Sequence, residues 1–174
     1  MLSTTKKVAI NGIGVALFVV LSLCLQVPVF ENYYLCLGYM VMAVYTYNIG
    51  IISGTLVGVL GTVLYCLLIS GLRGMPGWAA GNIVIGIIFG MAIKYSKNIK
   101  NIWLKRIICI AAIVIGVGIG ILGVKSFIEV LLYSQPFWLR IGNNIYAFVA
   151  DIVVLIFALP FCEFLSPKIQ RLIK

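Results

Sequence analysis

The sequence contains no histidine, and only four of its residues are acidic. With no imidazole to act as a base, no carboxylate pair and no evident nucleophile–base couple, an enzyme is hard to build from this inventory. The five cysteines, Cys24, Cys36, Cys66, Cys109 and Cys162, stand singly with no CxxC pair. That spacing, without histidine, speaks against metal and redox sites and leaves the thiols as small buried hydrophobes. A glycine-rich phosphate loop with its lysine is also missing, so the chain does not hydrolyse ATP by itself.

What is present in abundance is apolar surface. The chain of 174 residues is 63% hydrophobic and 10% charged, with a mean hydropathy of +1.19. A soluble domain of this size cannot hide so much apolar area. Apolar runs long enough to span a bilayer recur from end to end, so residues 1–174 read as one all-α integral membrane domain. The first run follows Lys6 and Lys7, reaches Pro28 and carries no small-residue cleavage site, so it reads as a retained helix. A net charge of +9 would elsewhere suggest nucleic acid. Here the cations lie beside apolar spans, where they act as topology signals, and no nucleic-acid partner is expected.

The pattern predicts six transmembrane helices. Span one covers about Val8 to Val27, and a loop from Pro28 to Tyr34 follows. Spans two and three share Leu35 to Ser70 as two rather short passes, broken at Asn48-Ile49-Gly50. Span four runs from Pro76 to Lys94, with proline in a first helical turn where its missing N–H costs nothing. Span five is Ile107 to Val124, followed by a mixed loop with Lys125, Glu129 and Ser134-Gln135-Pro136. Span six covers about Phe137 to Phe161 before a basic tail. Six passes place both termini on one side, together with ten of the thirteen cations. By the positive-inside rule that side is cytoplasmic. Arg73, Lys125 and Arg140 remain for the outside or its margin, two of them close to a tryptophan (Trp78, Trp138).

Polar groups inside a bilayer are expensive, so each is a functional candidate. Trp78 and Asn82 stand four apart and point from one helix face beside Arg73. Neither lipid nor bulk water explains that trio well, whereas a pocket would. Arg140, Asn144, Ala147 and Asp151 form one stripe along span six, with Asp151 roughly 16 Å from Arg140 and so near mid-membrane. Asp151 either pairs with a neighbouring hydroxyl or amide and locks the bundle, or serves the ligand. Glycines recur four apart in spans three to five, where they suit close helix packing in lipid. Gly12 and Ala16 form a similar small pair in span one, suited either to packing within the bundle or to docking a partner.

Thr5-Lys6-Lys7-Val8-Ala9 leading into Gly12-Ile13-Gly14-Val15-Ala16-Leu17 resembles the start of S components, the substrate-binding subunits of energy-coupling-factor (ECF) vitamin transporters. Gly74-Met75-Pro76 with Asn82 is similar to the start of helix four in riboflavin-type members, and the asparagines of span six sit where such proteins bind vitamins. The resemblance implies an outward-facing pocket built from helices four to six, capped by the loop after helix one. It also implies a transmembrane coupling subunit docked at Gly12 and Ala16, and two cytoplasmic ATPase subunits.

The sequence therefore reads as an S component in the plasma membrane of a bacterium or archaeon. Its expected ligand is a water-soluble vitamin or related precursor, riboflavin-like or carboxylate-bearing, with no cofactor and no metal. Tyr33, Trp78 and Trp138 are expected to stack on the ligand, Asn82, Asn144 and Asp151 to hydrogen-bond it, and Arg73 or Arg140 to supply charge. The alternatives are a self-contained proton-coupled transporter using Asp151 and a structural membrane protein with no ligand.

Overall fold

The structure, a computed structural model, describes residues 4–24, 27–30, 33–69 and 75–173, with backbone only for 27–30, 33–34 and 172–173. Helix α1 spans Thr4–Cys24. A two-stranded antiparallel ribbon follows, β1 (Val27–Phe30) pairing with β2 (Tyr33–Leu35). The chain continues through α2 (Gly38–Asn48), α3 (Ile51–Ile69) and α4 (Met75–Ser96). Helix α5 (Ile102–Val117) runs without interruption through a π-helical segment (Gly118–Lys125) into α6 (Ser126–Tyr133), and α7 (Phe137–Ile173) completes the chain.

Among the described residues five helices are long and apolar enough to cross a membrane: α1, α3, α4, the continuous rod Ile102–Tyr133, and α7. The break between α2 and α3 falls where the sequence placed it. Gly50 there adopts φ +135°, a conformation costly for any residue with a Cβ. Helix α2, however, has eleven residues. At about 1.5 Å rise per residue it is roughly 16 Å long, about half a hydrocarbon core. The ribbon stands where the sequence predicts a loop from Pro28 to Tyr34, and both strands lie against α7.

Two expectations are corrected. Lys125 and Glu129 do not lie in a loop, because the helix of span five continues to Tyr133. Lys125 ends the apolar run of span five in the sequence, yet its charge is met inside the bundle by Glu129 one turn on. The true end is Ser134, in the left-handed conformation at φ 53°, two residues before Pro136. The basic stretch after Phe161 is likewise helical, as α7 extends to Ile173 despite Pro160 and Pro167. At the opposite end Asn101 caps α5, its side chain accepting from the amides of Trp103 (3.0 Å) and Leu104 (3.4 Å).

The polarity of the bundle is inverted relative to a soluble protein. Ile52, Leu68, Phe157 and Phe164 are exposed on the outer surface, while Asn82, Glu129, Asn144 and Asp151 are buried. Such a surface suits lipid, and the interior polar groups then need partners within the protein. Glycine lets α4 and the rod touch backbone to backbone: a Cβ at Gly81 would stand 2.7 Å from the Gly120 carbonyl oxygen, and one at Gly120 equally close to that of Gly81. Further along the same seam Gly77 lies against Lys125, where a Cβ would stand 3.0 Å from the Lys125 carbonyl oxygen.

Candidate functional site

Most of the buried polar groups, among them every buried amide and carboxylate, gather at one end, where the C-terminal halves of α3 and the rod meet the N-terminal halves of α2, α4 and α7. Tyr39, in the first turn of α2, is fully buried and forms the hub of the first group. The shortness of α2 puts this hydroxyl below the end of the bundle rather than at its surface. The Trp78 indole N–H donates to the Tyr39 hydroxyl (2.7 Å), which donates to the Asn82 carboxamide oxygen (2.7 Å). The Asn82 amide in turn donates to the Thr62 hydroxyl (2.7 Å) and the Gly58 carbonyl (3.1 Å). Trp78 and Asn82 thus share a face, as their spacing predicted, and Tyr39 joins them. Tyr65 meets the Trp78 ring edge-on, with centroids 5.7 Å apart.

Glu129 on α6 is the hub of the second group. The Asn144 amide donates to its carboxylate (2.9 Å) and to the Ser126 hydroxyl (3.0 Å). The Lys125 ammonium lies 3.9 Å from one carboxylate oxygen and the Arg140 guanidinium 3.8 Å from the other. Arg140 also lies over the Tyr133 ring, 4.9 Å from its centroid. The wider π-helical turn is visible in the Ser126 hydroxyl, which donates to the carbonyl of Ile121 five residues back (3.3 Å). Asp151, 4% exposed, sits between the groups, beside the Tyr39 hydroxyl and within the field of Lys125.

Two half-buried cations, Lys125 and Arg140, therefore face two buried carboxylates, Glu129 and Asp151, in a seam crossed by hydroxyl, amide and indole groups. The arrangement presents directional donors and acceptors with charge compensated internally. These are groups of the kind that orient a small polar molecule.

Among the expected site residues, Trp78, Asn82, Arg140, Asn144 and Asp151 converge here. Trp138 does not join them; it is 80% exposed and meets Phe137 edge-on at 5.9 Å. Arg73 lies outside the described residues, and for Tyr33 only the backbone, in β2, is described. The sequence reading missed Tyr39, Thr62, Ser126 and Glu129 as members of this cluster. One signal was available for Glu129, which stands four residues after Lys125 in an otherwise apolar stretch.

Gly12 and Ala16 on α1 are both exposed, and a Cβ at Gly12 would meet nothing within 4 Å. The glycine that packs inside the bundle is Gly14, where a Cβ would stand 2.6 Å from the Tyr45 ring. Among the described residues, then, Gly12 packs against no other helix.

Comparison with known proteins agrees with this architecture. Residues 2–166 match the family model of the ECF-type riboflavin transporter, S component. A UPF0397 protein of Lactococcus lactis subsp. cremoris is 29% identical over 139 residues, covering 77% of this chain and 75% of its own. The UPF0397 protein YdcD of Lactococcus lactis subsp. lactis is 30% identical with the same coverage. A UPF0397 protein of Vibrio atlanticus is 29% identical over 143 residues, again covering 77% and 75%. No solved structure gives a significant match. The chain is a multi-pass membrane protein and belongs to the S-component family of ECF-type riboflavin transporters.

Proposed function

We propose that this chain is the high-affinity substrate-binding subunit of an ATP-driven importer for a riboflavin-like vitamin or precursor. The observation that carries the reading is the seam of buried Tyr39, Asn82, Glu129, Asn144 and Asp151, with half-buried Trp78 and Arg140, at one end of the bundle in a chain of this family. Its end is the outer one, because Lys6, Lys7, the five cations from Lys94 to Arg106 and those of the C-terminal tail mark the opposite end as cytoplasmic. Both termini are then cytoplasmic in a bacterial or archaeal plasma membrane. Helix α2 and the ribbon above it make up the sixth pass.

The charge pattern favours a flat, uncharged heterocycle over a carboxylate-bearing ligand. Lys125 and Arg140 already face the carboxylate of Glu129, so an incoming carboxylate would compete with the chain's own. Trp78 supplies stacking area, and Asn144, Arg140 and Asp151 supply hydrogen bonds. Asn82 acts by holding Tyr39, since its amide and its oxygen are both engaged. Trp138, exposed at the start of α7, lies at the mouth. The exposed Gly12–Ala16 pair is the face of α1 that docks the transmembrane coupling subunit, which relays the work of two cytoplasmic ATPases.

Mass spectrometry of small molecules retained by the mildly solubilised protein, paired with its melting temperature in added riboflavin, tests the reading. A retained flavin and a raised melting temperature are expected. Retention of a carboxylate vitamin with no response to riboflavin overturns the substrate class, and no response to any vitamin overturns the function.

A further inference from the structure

The opposite end of the bundle holds a second site. A cavity of about 580 Å³ opens between the start of α1, the α2–α3 turn and the end of α4. Its volume is in the range of small-molecule sites. Lys7, Lys94 and Lys97 line it together with Asn11, Asn48 and Ile52. None of the three lysines forms an ion pair among the described residues. The carboxylates among those residues are Glu129 and Asp151, both in the seam described above, and Glu163, which receives Arg106 in a bidentate pair. The cavity is therefore a locus of uncompensated positive charge.

Its other features narrow the occupant. Ile52 is 76% exposed on the flank of the bundle, so apolar surface continues from the cavity down the lipid-facing wall. Asn48 is oriented by its amide, which donates to the Val44 carbonyl (3.0 Å), and its carboxamide oxygen finds no donor among the described residues. The Asn11 oxygen is in the same condition, each lying just beneath the lining surface. A ligand for this place carries an anionic group for the lysines, hydroxyl donors for the two amide oxygens after a small side-chain rotation, and a hydrocarbon tail for the Ile52 flank. Basic pockets between membrane helices at a bilayer surface bind anionic headgroups.

We propose that this cavity seats the headgroup of an anionic, hydroxyl-bearing phospholipid, of the phosphatidylglycerol kind. Its phosphate lies among Lys7, Lys94 and Lys97, and its acyl chain lies along Ile52. The proposal requires only that this end of the bundle reach a membrane surface, and it is independent of which vitamin binds at the other end.

Native mass spectrometry of the full chain in detergent, titrated with dioleoyl phosphatidylglycerol or dioleoyl phosphatidylcholine, tests it. One phosphatidylglycerol should be retained in preference to phosphatidylcholine. The Lys94→Gln/Lys97→Gln variant should bind it at least tenfold more weakly, since each lysine near an anionic surface is worth roughly fivefold in affinity. Lys94→Arg/Lys97→Arg should restore binding, which separates loss of charge from loss of fold, and the response to riboflavin should be unchanged throughout. Equal retention of both lipids, or equal affinity in the glutamine variant, overturns the proposal. Glycerol 3-phosphate binding as tightly as the lipid also overturns it, by making the site one for a free anion. Loss of coupling-subunit capture without loss of lipid binding in the glutamine variant would reassign the lysines to a protein interface.

Discussion

Glu129→Gln isolates the electrostatics of the seam, because it keeps size and hydrogen-bonding capacity while removing one charge. The carboxylate is 5% exposed and faces Lys125 at 3.9 Å, Arg140 at 3.8 Å and the Asn144 amide at 2.9 Å. Removing one partner of a buried pair commonly costs about 3–5 kcal/mol, because the other charge stays buried without compensation. Both cation distances are long for ion pairs, and Asp151 still acts on Lys125. The cost should therefore fall at or just below the low end of that range, at about 2–3 kcal/mol. For a chain of this size that corresponds to a drop in melting temperature of roughly 5–10 °C. The assay is thermal unfolding in detergent of Glu129→Gln, Arg140→Gln and the double variant. The double variant should recover part of the loss, since Arg140→Gln removes one of the stranded cations. A single variant within 1–2 °C of wild type, or strictly additive losses, would refute the claim that Glu129 holds the two cations, taking about 2 °C per kcal/mol as the smallest expected response.

The other predictions concern coupling, orientation and energy source. Gly12→Leu or Ala16→Leu should leave riboflavin binding intact and abolish uptake by the assembled transporter, because both positions face away from the bundle; loss of binding as well would make the pair part of the bundle's own packing. In a cysteine-free background, Gln135→Cys should label from outside intact cells while Asn98→Cys and Gln170→Cys should not, and the opposite pattern would invert the topology. Asp151→Asn should alter affinity or folding only. Concentrative uptake by this chain alone in proteoliposomes, driven by a pH gradient and lost in that variant, would instead make it a proton-coupled transporter.

What could be read from the sequence was whatever repeats along a single helix. The Asn48–Gly50 break, the shared face of Trp78 and Asn82, and the stripe from Arg140 to Asp151 all follow from composition and helical period. What escaped depends on contact between elements. Tyr39 resembles any aromatic residue of an apolar helix until α2 is seen to stop short and place its hydroxyl between Trp78 and Asn82. Lys125 looked like the end of a span because a lone lysine is costly in lipid, and only the approach of Glu129, Arg140 and Asn144 makes the rod's continuation sensible. The exposure of Gly12 beside a buried Gly14 could not be told from the spacing, since both suit a close helix contact.

The central claim, that the outer seam binds the substrate, is tested most directly by calorimetric titration of riboflavin into the purified chain and its Asn144→Ala variant. The account predicts saturable one-to-one binding without ATP or partner subunits. It predicts a loss of about 1–3 kcal/mol in the variant, the cost of leaving a buried partner group unsatisfied. No heat of binding in the wild type, or an affinity unchanged by Asn144→Ala, would contradict it.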